Sequence, residues 1–223
     1  MHPNYWIGYN LSKLVANIGF DYAAEGQENM PEEGGFLAAM NHQSFLDPPL
    51  GGIASKRDIY FLARKNLLET PVLGKILPTL NVIPVAREGG DVSALKIVMK
   101  QVKAGEGVLI FPEGTRSRDG TLQKAQAGIG LVIGKTLCPV VPMRIFGSYQ
   151  AFSRTAKKVS WRPITVVVGH PIRFSKEDFQ GDSRAAYQAA SERVLAAIAA
   201  LRPSPRRRSL HLDDPGLADE ATP

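Results

Sequence analysis

Short apolar runs alternate with amphipathic stretches along most of this chain. The runs at 35–40, 58–63, 82–86, 107–111, 139–145 and 163–168 are rich in Val, Ile and Phe and bounded by Gly, Pro or Asp, which predicts buried strands. Between several of them the apolar spacing lengthens to that of a helix. In 91–104, Val92, Leu95, Val98, Met99 and Val102 share a face, Asp91 can cap the start and Gly105 stops the end. Comparable patterns occupy roughly 66–77 and 124–137, and a closing helix over 183–201 carries Tyr187, Val194, Leu195, Ile198 and Leu201. This alternation predicts an α/β fold: a single domain with a largely parallel mixed sheet flanked by helices.

The two ends depart from that pattern. In "YWIGYNLSKLVANIGF", Ile7, Leu11, Leu14, Val15 and Ile18 fall at helical spacing, and Tyr5, Trp6 and Tyr9 crowd the start. Residues 1–22 are therefore read as an N-terminal amphipathic helix. Its stripe can pack on the domain core, or it can lie in a membrane interface, where Trp and Tyr rings are favoured. The sequence leaves both open. After Leu201 the composition breaks to "RPSPRRRSLHLDDPGLADEATP", with four prolines and almost no periodicity, so residues 202–223 read as a disordered C-terminal tail. The folded body is then 23–201.

Composition narrows the class. With 223 residues and 44% hydrophobic content, the chain can bury a sizeable core as one domain. The net charge of +6 comes from residues 1–201, because Arg202, Arg206, Arg207 and Arg208 balance Asp213, Asp214, Asp219 and Glu220. A basic body suits an anionic partner: a phosphate-bearing substrate, an anionic membrane or nucleic acid. The last is disfavoured, since no exposed aromatics interleave with Lys and Arg. The single cysteine, Cys138, excludes an internal disulfide and a multi-cysteine metal site and reads as a buried small hydrophobe. No run reaches the ~18 apolar residues of a spanning helix. The first twelve residues lack the Lys or Arg of a signal peptide, so a cytoplasmic protein is expected.

Three stretches carry candidate chemistry. "NHQSFLDPP" follows the first apolar run and sets His42 five residues before Asp47. A histidine at a strand mouth beside a carboxylate can act as a general base, although Asn41, Ser44 and Asp47 are also ordinary cap residues. "GVLIFPEGTRSRDG" ends a strand at Phe111 and presents Glu113, Gly114, Thr115 and Arg116. Glycine permits close backbone approach there, threonine offers a hydroxyl and arginine a planar fork for phosphate. "NVIPVAREGGD" delivers Arg87 to the end of a third strand, and the carboxyl ends of parallel strands are where such sheets bind ligands. No metal is expected, because His42 has no second histidine at ligand spacing. No G-x-S-x-G elbow is present. Spacing alone does not exclude Ser44 as a nucleophile, but direct attack by an acceptor hydroxyl is simpler.

"NHQSFLD", "NVIPVARE", "FPEGTRS" and "CPVVPM" stand in the order and spacing of the four blocks of the glycerolipid acyltransferase family. The chain resembles its 1-acylglycerol-3-phosphate acyltransferase branch over about residues 35–172, and "YFLARKNLLETPVLGKIL" is similar to the basic and apolar segment between the first two blocks. The resemblance implies that His42 takes the proton from a free sn-2 hydroxyl of 1-acylglycerol 3-phosphate while Asp47 orients it. The oxygen then attacks an acyl thioester directly, giving phosphatidic acid. It further implies that Arg87, Glu113, Gly114, Thr115 and Arg116 bind the phosphate and glycerol, and that Pro142 shapes an acyl-chain channel. No cofactor is implied beyond acyl-coenzyme A or acyl carrier protein as co-substrate. Partners would be a lysophospholipid and a membrane surface, with the enzyme peripheral on the inner face of the cell membrane. Glycerol 3-phosphate or another lysophospholipid remains the alternative acceptor. One departure is "LQKAQAG", where many members carry an aromatic and a lysine, so Lys124 replaces that cation or it is lost.

Overall fold

The computed structural model describes residues 3–71, 73–77, 80–85 and 92–218. Its helices are α1 (Pro3–Phe20), α2 (Asp47–Ala54), α3 (Lys65–Leu68), α4 (Leu73–Ile76), α5 (Val92–Lys103), α6 (Ala127–Thr136), α7 (Ser148–Phe152), α8 (Ser183–Ala200), α9 (Pro205–Arg208) and α10 (Pro215–Ala218). Its strands are β1 (Ala23–Glu25), β2 (Phe36–Met40), β3 (Ile59–Arg64), β4 (Val82–Val85), β5 (Gly107–Ile110), β6 (Val140–Phe146) and β7 (Thr165–Val168).

The strands form one sheet in the order β1-β7-β6-β2-β5-β3-β4. Five run parallel from β6 to β4, while β7 pairs antiparallel with β6 and carries β1 parallel beside it. Strand β2 lies at the centre, and all five residues of "FLAAM" are buried, as a strand covered on both faces requires. Its side chains alternate between two cores. Phe36, Ala38 and Met40 join Ala16 and Phe20 of α1 and Leu50 and Ile53 of α2. Leu37 and Ala39 join Val98 of α5, Val132 of α6 and Val194 of α8. Helices α6 and α8 touch backbone to backbone at Gly130, where a β-carbon would sit 1.8 Å from the Tyr187 carbonyl oxygen.

The single α/β domain and its six foreseen strands match the periodicity within a residue or two, and Asp182 caps α8 by accepting from the Arg184 and Ala185 amides. Asp91, the expected cap of α5, lies outside the described residues. The pattern at 66–77 resolves into two short helices, α3 and α4, because Pro71 between them cannot donate to a helical ladder. The edge strand β1 was not foreseen, being three residues long with no alternation to read.

Helix α1 forms as expected, and its stripe points outward. Ile7, Leu11, Leu14, Val15 and Ile18 are all exposed, Ile18 by 79%. Tyr5, Ala16 and Phe20 form the buried face instead. The core-packing alternative for the stripe is therefore overturned.

The expected disorder after Leu201 is corrected as far as Ala218. Arg207 donates to Asp21 Oδ2 at 2.8 Å and to Thr165 Oγ at 3.0 Å. His211 is buried beneath it, with Nε2 2.8 Å from Thr165 Oγ. Asp214 accepts the Gly147 amide at 2.6 Å, and Arg144 donates to the carbonyl of Gly216. A low-hydrophobicity segment escapes the rule for disorder because buried polar groups on the body complete their hydrogen bonds with it. Residues 219–223 lie outside the described residues.

This order is measurable. The amides of His211, Asp214 and Leu217 donate to Arg208, His211 and Asp214 carbonyls, so they should be protected from hydrogen exchange. Arg207→Ala should destabilise the protein by about 1–3 kcal/mol and release those amides first. Exchange of all three at free-peptide rates in the unaltered protein would show the segment to be undocked.

Candidate functional site

The candidate base sits in a turn whose shape follows from "DPP". Asp47 is the first residue of α2 and Pro48 and Pro49 follow it. An aspartate at a helix start ordinarily accepts from the amides just inside the helix, but these prolines have no N–H to give. The carboxylate turns back on the preceding loop instead. Its Oδ2 accepts the Gln43 amide at 2.6 Å, the Ser44 amide at 2.7 Å and His42 Nδ1–H at 2.8 Å. Asp47 is fully buried, whereas His42 keeps 14% of its side chain accessible. With Nδ1 held by the carboxylate, Nε2 is left as the basic nitrogen.

Three further contacts fix the imidazole. The Asn41 side chain bridges to β6, accepting the Ile145 amide at 2.8 Å and donating to its carbonyl at 3.2 Å. Phe111, just past β5, stacks on the His42 ring with centroids 3.8 Å apart and planes inclined by 14°. Glu113 accepts the His42 amide at 2.7 Å through Oε1 and the Gln123 amide at 2.8 Å through Oε2. Burial pushes the Glu113 carboxyl up to about 7, against the pull of those two donors and with a smaller upward push from Asp47. The turn at Gly114 needs glycine, because its φ is 69°.

His42 opens onto a cavity of about 840 Å³. Tyr5, Gly8 and Tyr9 of α1, Phe61 of β3, Val98 of α5 and Val132 of α6 contribute to its walls, which are mostly apolar. Basic groups sit at the polar end. Arg116 also lines the cavity, with its guanidinium stacked 3.7 Å above the Phe45 ring. Arg64 lines it too, at the carboxyl end of β3.

The residues singled out from the sequence divide accordingly. His42, Gly114 and Arg116 line the cavity, and Asp47 stands directly behind His42. Glu113 and Thr115 are not among the lining residues. Both carboxylate oxygens of Glu113 are taken by backbone amides, and the residue is 2% exposed. It ties the backbone of the histidine turn to that of Gln123. Pro142 is likewise not a lining residue: it is buried on β6 opposite Ala39, against Gly169. The cavity draws its lining from α1, α2, β3, β5, α5 and α6 and takes none from β6. Arg87 lies outside the described residues. Lys124 is exposed and does not line the cavity. The Ser44 hydroxyl, the other conceivable nucleophile, is buried and donates to the Phe152 carbonyl at 2.7 Å.

Sequence reasoning passed over Arg64, Phe111 and Phe45. Arg64 was legible in principle, as the last residue of a strand in "YFLAR" at the same sheet edge as Arg116. The two aromatic stacks carry no sequence spacing that could reveal them. Among the described residues no three His, Cys, Asp or Glu side chains gather at metal-binding spacing, and no helix is long and apolar enough to cross a membrane.

The family model described as Acyltransferase matches residues 22–146. A chloroplastic 1-acyl-sn-glycerol-3-phosphate acyltransferase of Brassica napus is 32% identical over 181 residues, covering 77% of this chain and 52% of the relative. The chain thus spans about half the length of the chloroplastic relatives it matches. A 1-acyl-sn-glycerol-3-phosphate acyltransferase of Bacillus subtilis is 28% identical over 193 residues, covering 86% of this chain and 90% of the relative. The crystal structure of a 1-acyl-sn-glycerophosphate acyltransferase, PlsC, from Thermotoga maritima shares the fold with a TM-score of 0.71 at 24% identity, over 90% of this chain and 81% of that one. With more than half of its length matched by that family model, the chain belongs to the acyltransferase family.

Proposed function

We propose that this protein transfers a fatty acyl group from an acyl thioester to the free sn-2 hydroxyl of 1-acylglycerol 3-phosphate, giving phosphatidic acid. The observation that carries the reading is a carboxylate-held histidine at the polar end of a large apolar cavity that arginines also line. Each part matches a part of the substrates: a base for the hydroxyl, cations for the phosphate and an apolar lumen for acyl chain. The relatives in Brassica napus and Bacillus subtilis bear the name of that activity.

In the proposed reaction His42 Nε2 accepts the hydroxyl proton as the oxygen attacks the thioester carbonyl. The Asp47 carboxylate, 2.8 Å from Nδ1, stabilises the imidazolium, and the flat contact with Phe111 adds a cation–π attraction. A C–O bond forms, the C–S bond breaks, and His42 returns the proton to the departing sulfur. No acyl-enzyme intervenes. Burial of the Ser44 hydroxyl in a bond to Phe152 supports direct attack.

Arg116 and Arg64 hold the phosphate at the carboxyl ends of their strands, and Arg87 is assigned the same part. Stacking on Phe45 keeps the Arg116 fork planar to the ring and limits the rotamers it must lose on binding. The donor is acyl-coenzyme A or acyl carrier protein, and no further cofactor takes part. The outward apolar stripe of α1 supports a peripheral position on the inner face of the cell membrane.

The test is acyl transfer in detergent from radiolabelled acyl-coenzyme A, and in parallel from acyl carrier protein, to 1-acylglycerol 3-phosphate. Other lysophospholipids and glycerol 3-phosphate serve as competing acceptors. Phosphatidic acid is the expected product; transfer only to another acceptor overturns the substrate assignment and leaves the chemistry standing. His42→Ala should lower kcat by about 10²–10⁴-fold with the fold intact by circular dichroism, and unchanged turnover would remove it as the base. Arg116→Ala should raise the acceptor KM by about tenfold to a hundredfold while kcat changes little. Glu113→Ala should behave in the opposite way, lowering kcat by about 10²-fold through misplacement of His42 with acceptor KM nearly constant. A rise in KM alone would return Glu113 to the acceptor site.

A further inference from the structure

We infer that the loop from Ser153 to Pro163 is an anionic-lipid-reading rim that, with the outward face of α1, seats the domain on a negatively charged bilayer. The inference rests on the proposed lipid substrates for its purpose, and on the surface alone for its evidence.

The loop is fixed at both ends to functional elements. At its start Ser153 pairs with Ser44 of the histidine turn, and Phe152 packs against Phe45 with centroids 5.4 Å apart and planes inclined by 41°. Near its end Trp161 lies on Phe20 at the foot of α1, centroids 4.9 Å apart, and covers Gly19. Val159 packs against the core cluster that holds Ala16 and Phe20. The backbone is tied down as well, by the Ser160 amide to the Ala151 carbonyl at 2.8 Å. The loop therefore runs as a held strap from the catalytic turn to the end of the outward stripe.

Between those anchors it presents cations to solvent. Arg154, Lys157 and Lys158 are exposed, and among the described residues they make no ion pair. Arg162 pairs with Asp213. Residues 153–163 contain no acid, and Lys13 is the only charged residue between Pro3 and Phe20. Trp161, 65% exposed, follows the cations in the loop and lies over Gly19, the residue after Ile18 of the stripe.

This sequence of surfaces fits one partner. An apolar face, an indole at its margin and lysines beyond it reproduce the order of acyl chain, interface and phosphate in a bilayer. An acidic protein would satisfy the lysines but leave six large apolar side chains of α1 in water. A second copy would cover the stripe but bring the two sets of cations together. Because Tyr5, Gly8 and Tyr9 of α1 line the cavity, docking through the outer stripe of the same helix brings the lumen within one helix of the lipid.

Partition of the full chain into vesicles tests the rim without reference to catalysis. Vesicles are phosphatidylcholine alone or phosphatidylcholine with about one-third phosphatidylglycerol. Binding should be about thirtyfold tighter to the anionic vesicles at low salt, at roughly tenfold or less per lysine, and the difference should shrink near 1 M salt. Lys157→Ala/Lys158→Ala should lose most of that preference, keep its binding to neutral vesicles and melt at the same temperature as the parent. Trp161→Ala should weaken binding to both vesicle types. Equal binding of the parent to both vesicles, an unchanged double variant, or a lipid-free dimer that hides the α1 stripe would each overturn the inference. None of these outcomes depends on which acceptor the enzyme acylates.

Discussion

One carboxylate oxygen organises the reactive end of this molecule. Asp47 Oδ2 collects two backbone amides and an imidazole N–H, three donors that would otherwise be lost in a buried turn. A charge so deep is tolerable only when each nearby dipole points at it, and the histidine is one of those dipoles. The same bonds that make the aspartate affordable therefore set the tautomer, tilt and height of the imidazole. Replacing either proline of "DPP" by a residue with an N–H would offer Asp47 a competing donor inside α2. The two prolines belong to the site as much as His42 itself.

The second constraint is the adjacency of β2 and β5. Their register sets Ala39 beside Ile110, so the loops that follow emerge side by side although they are 71 residues apart at the His42 to Glu113 contact. Glu113 uses that closeness to grip the backbone of the histidine turn, and Phe111 uses it to cover the imidazole. On the next strand over, Arg64 reaches the same edge. A parallel sheet thus assembles base, brace and cations from segments that share no local sequence, each needing only to stop at the right level.

The sequence carried the architecture well, because strand and helix periodicities are written in single residues: "FLAAM" and the 92–103 pattern leave little freedom. Of the block residues, His42, Gly114 and Arg116 meet at one cavity, with Asp47 behind His42. What it could not carry was direction. The α1 stripe has the same spacing whether it faces a core or a lipid, and only the positions of Tyr5, Ala16 and Phe20 decide. Glu113 and Arg116 stand three residues apart in one block, yet one turns to the backbone and the other to the cavity. Pro142 sits in a block of the family pattern, but its strand places it away from the lumen. The tail after Leu201 failed for a different reason. Its stability comes from polar groups of the body, including Arg144 and Thr165, that a reading of the tail's own composition does not see.

The sheet order also governs how the chain comes into being. The central strand β2 pairs with β5 and β6, and both are made after it. At synthesis rates of about 5–20 residues per second, "FLAAM" waits roughly ten seconds for its second neighbour, with both faces and both edges open. Loops closed over that distance form slowly, and an apolar segment with unsatisfied edges invites pairing with other nascent chains. The His42 turn, which hangs from the end of this strand and bonds to Glu113 and Ile145, can take its shape only after that wait. Helix α1 is already made when this strand appears, and in the folded protein its inner face, through Ala16 and Phe20, covers one side of it.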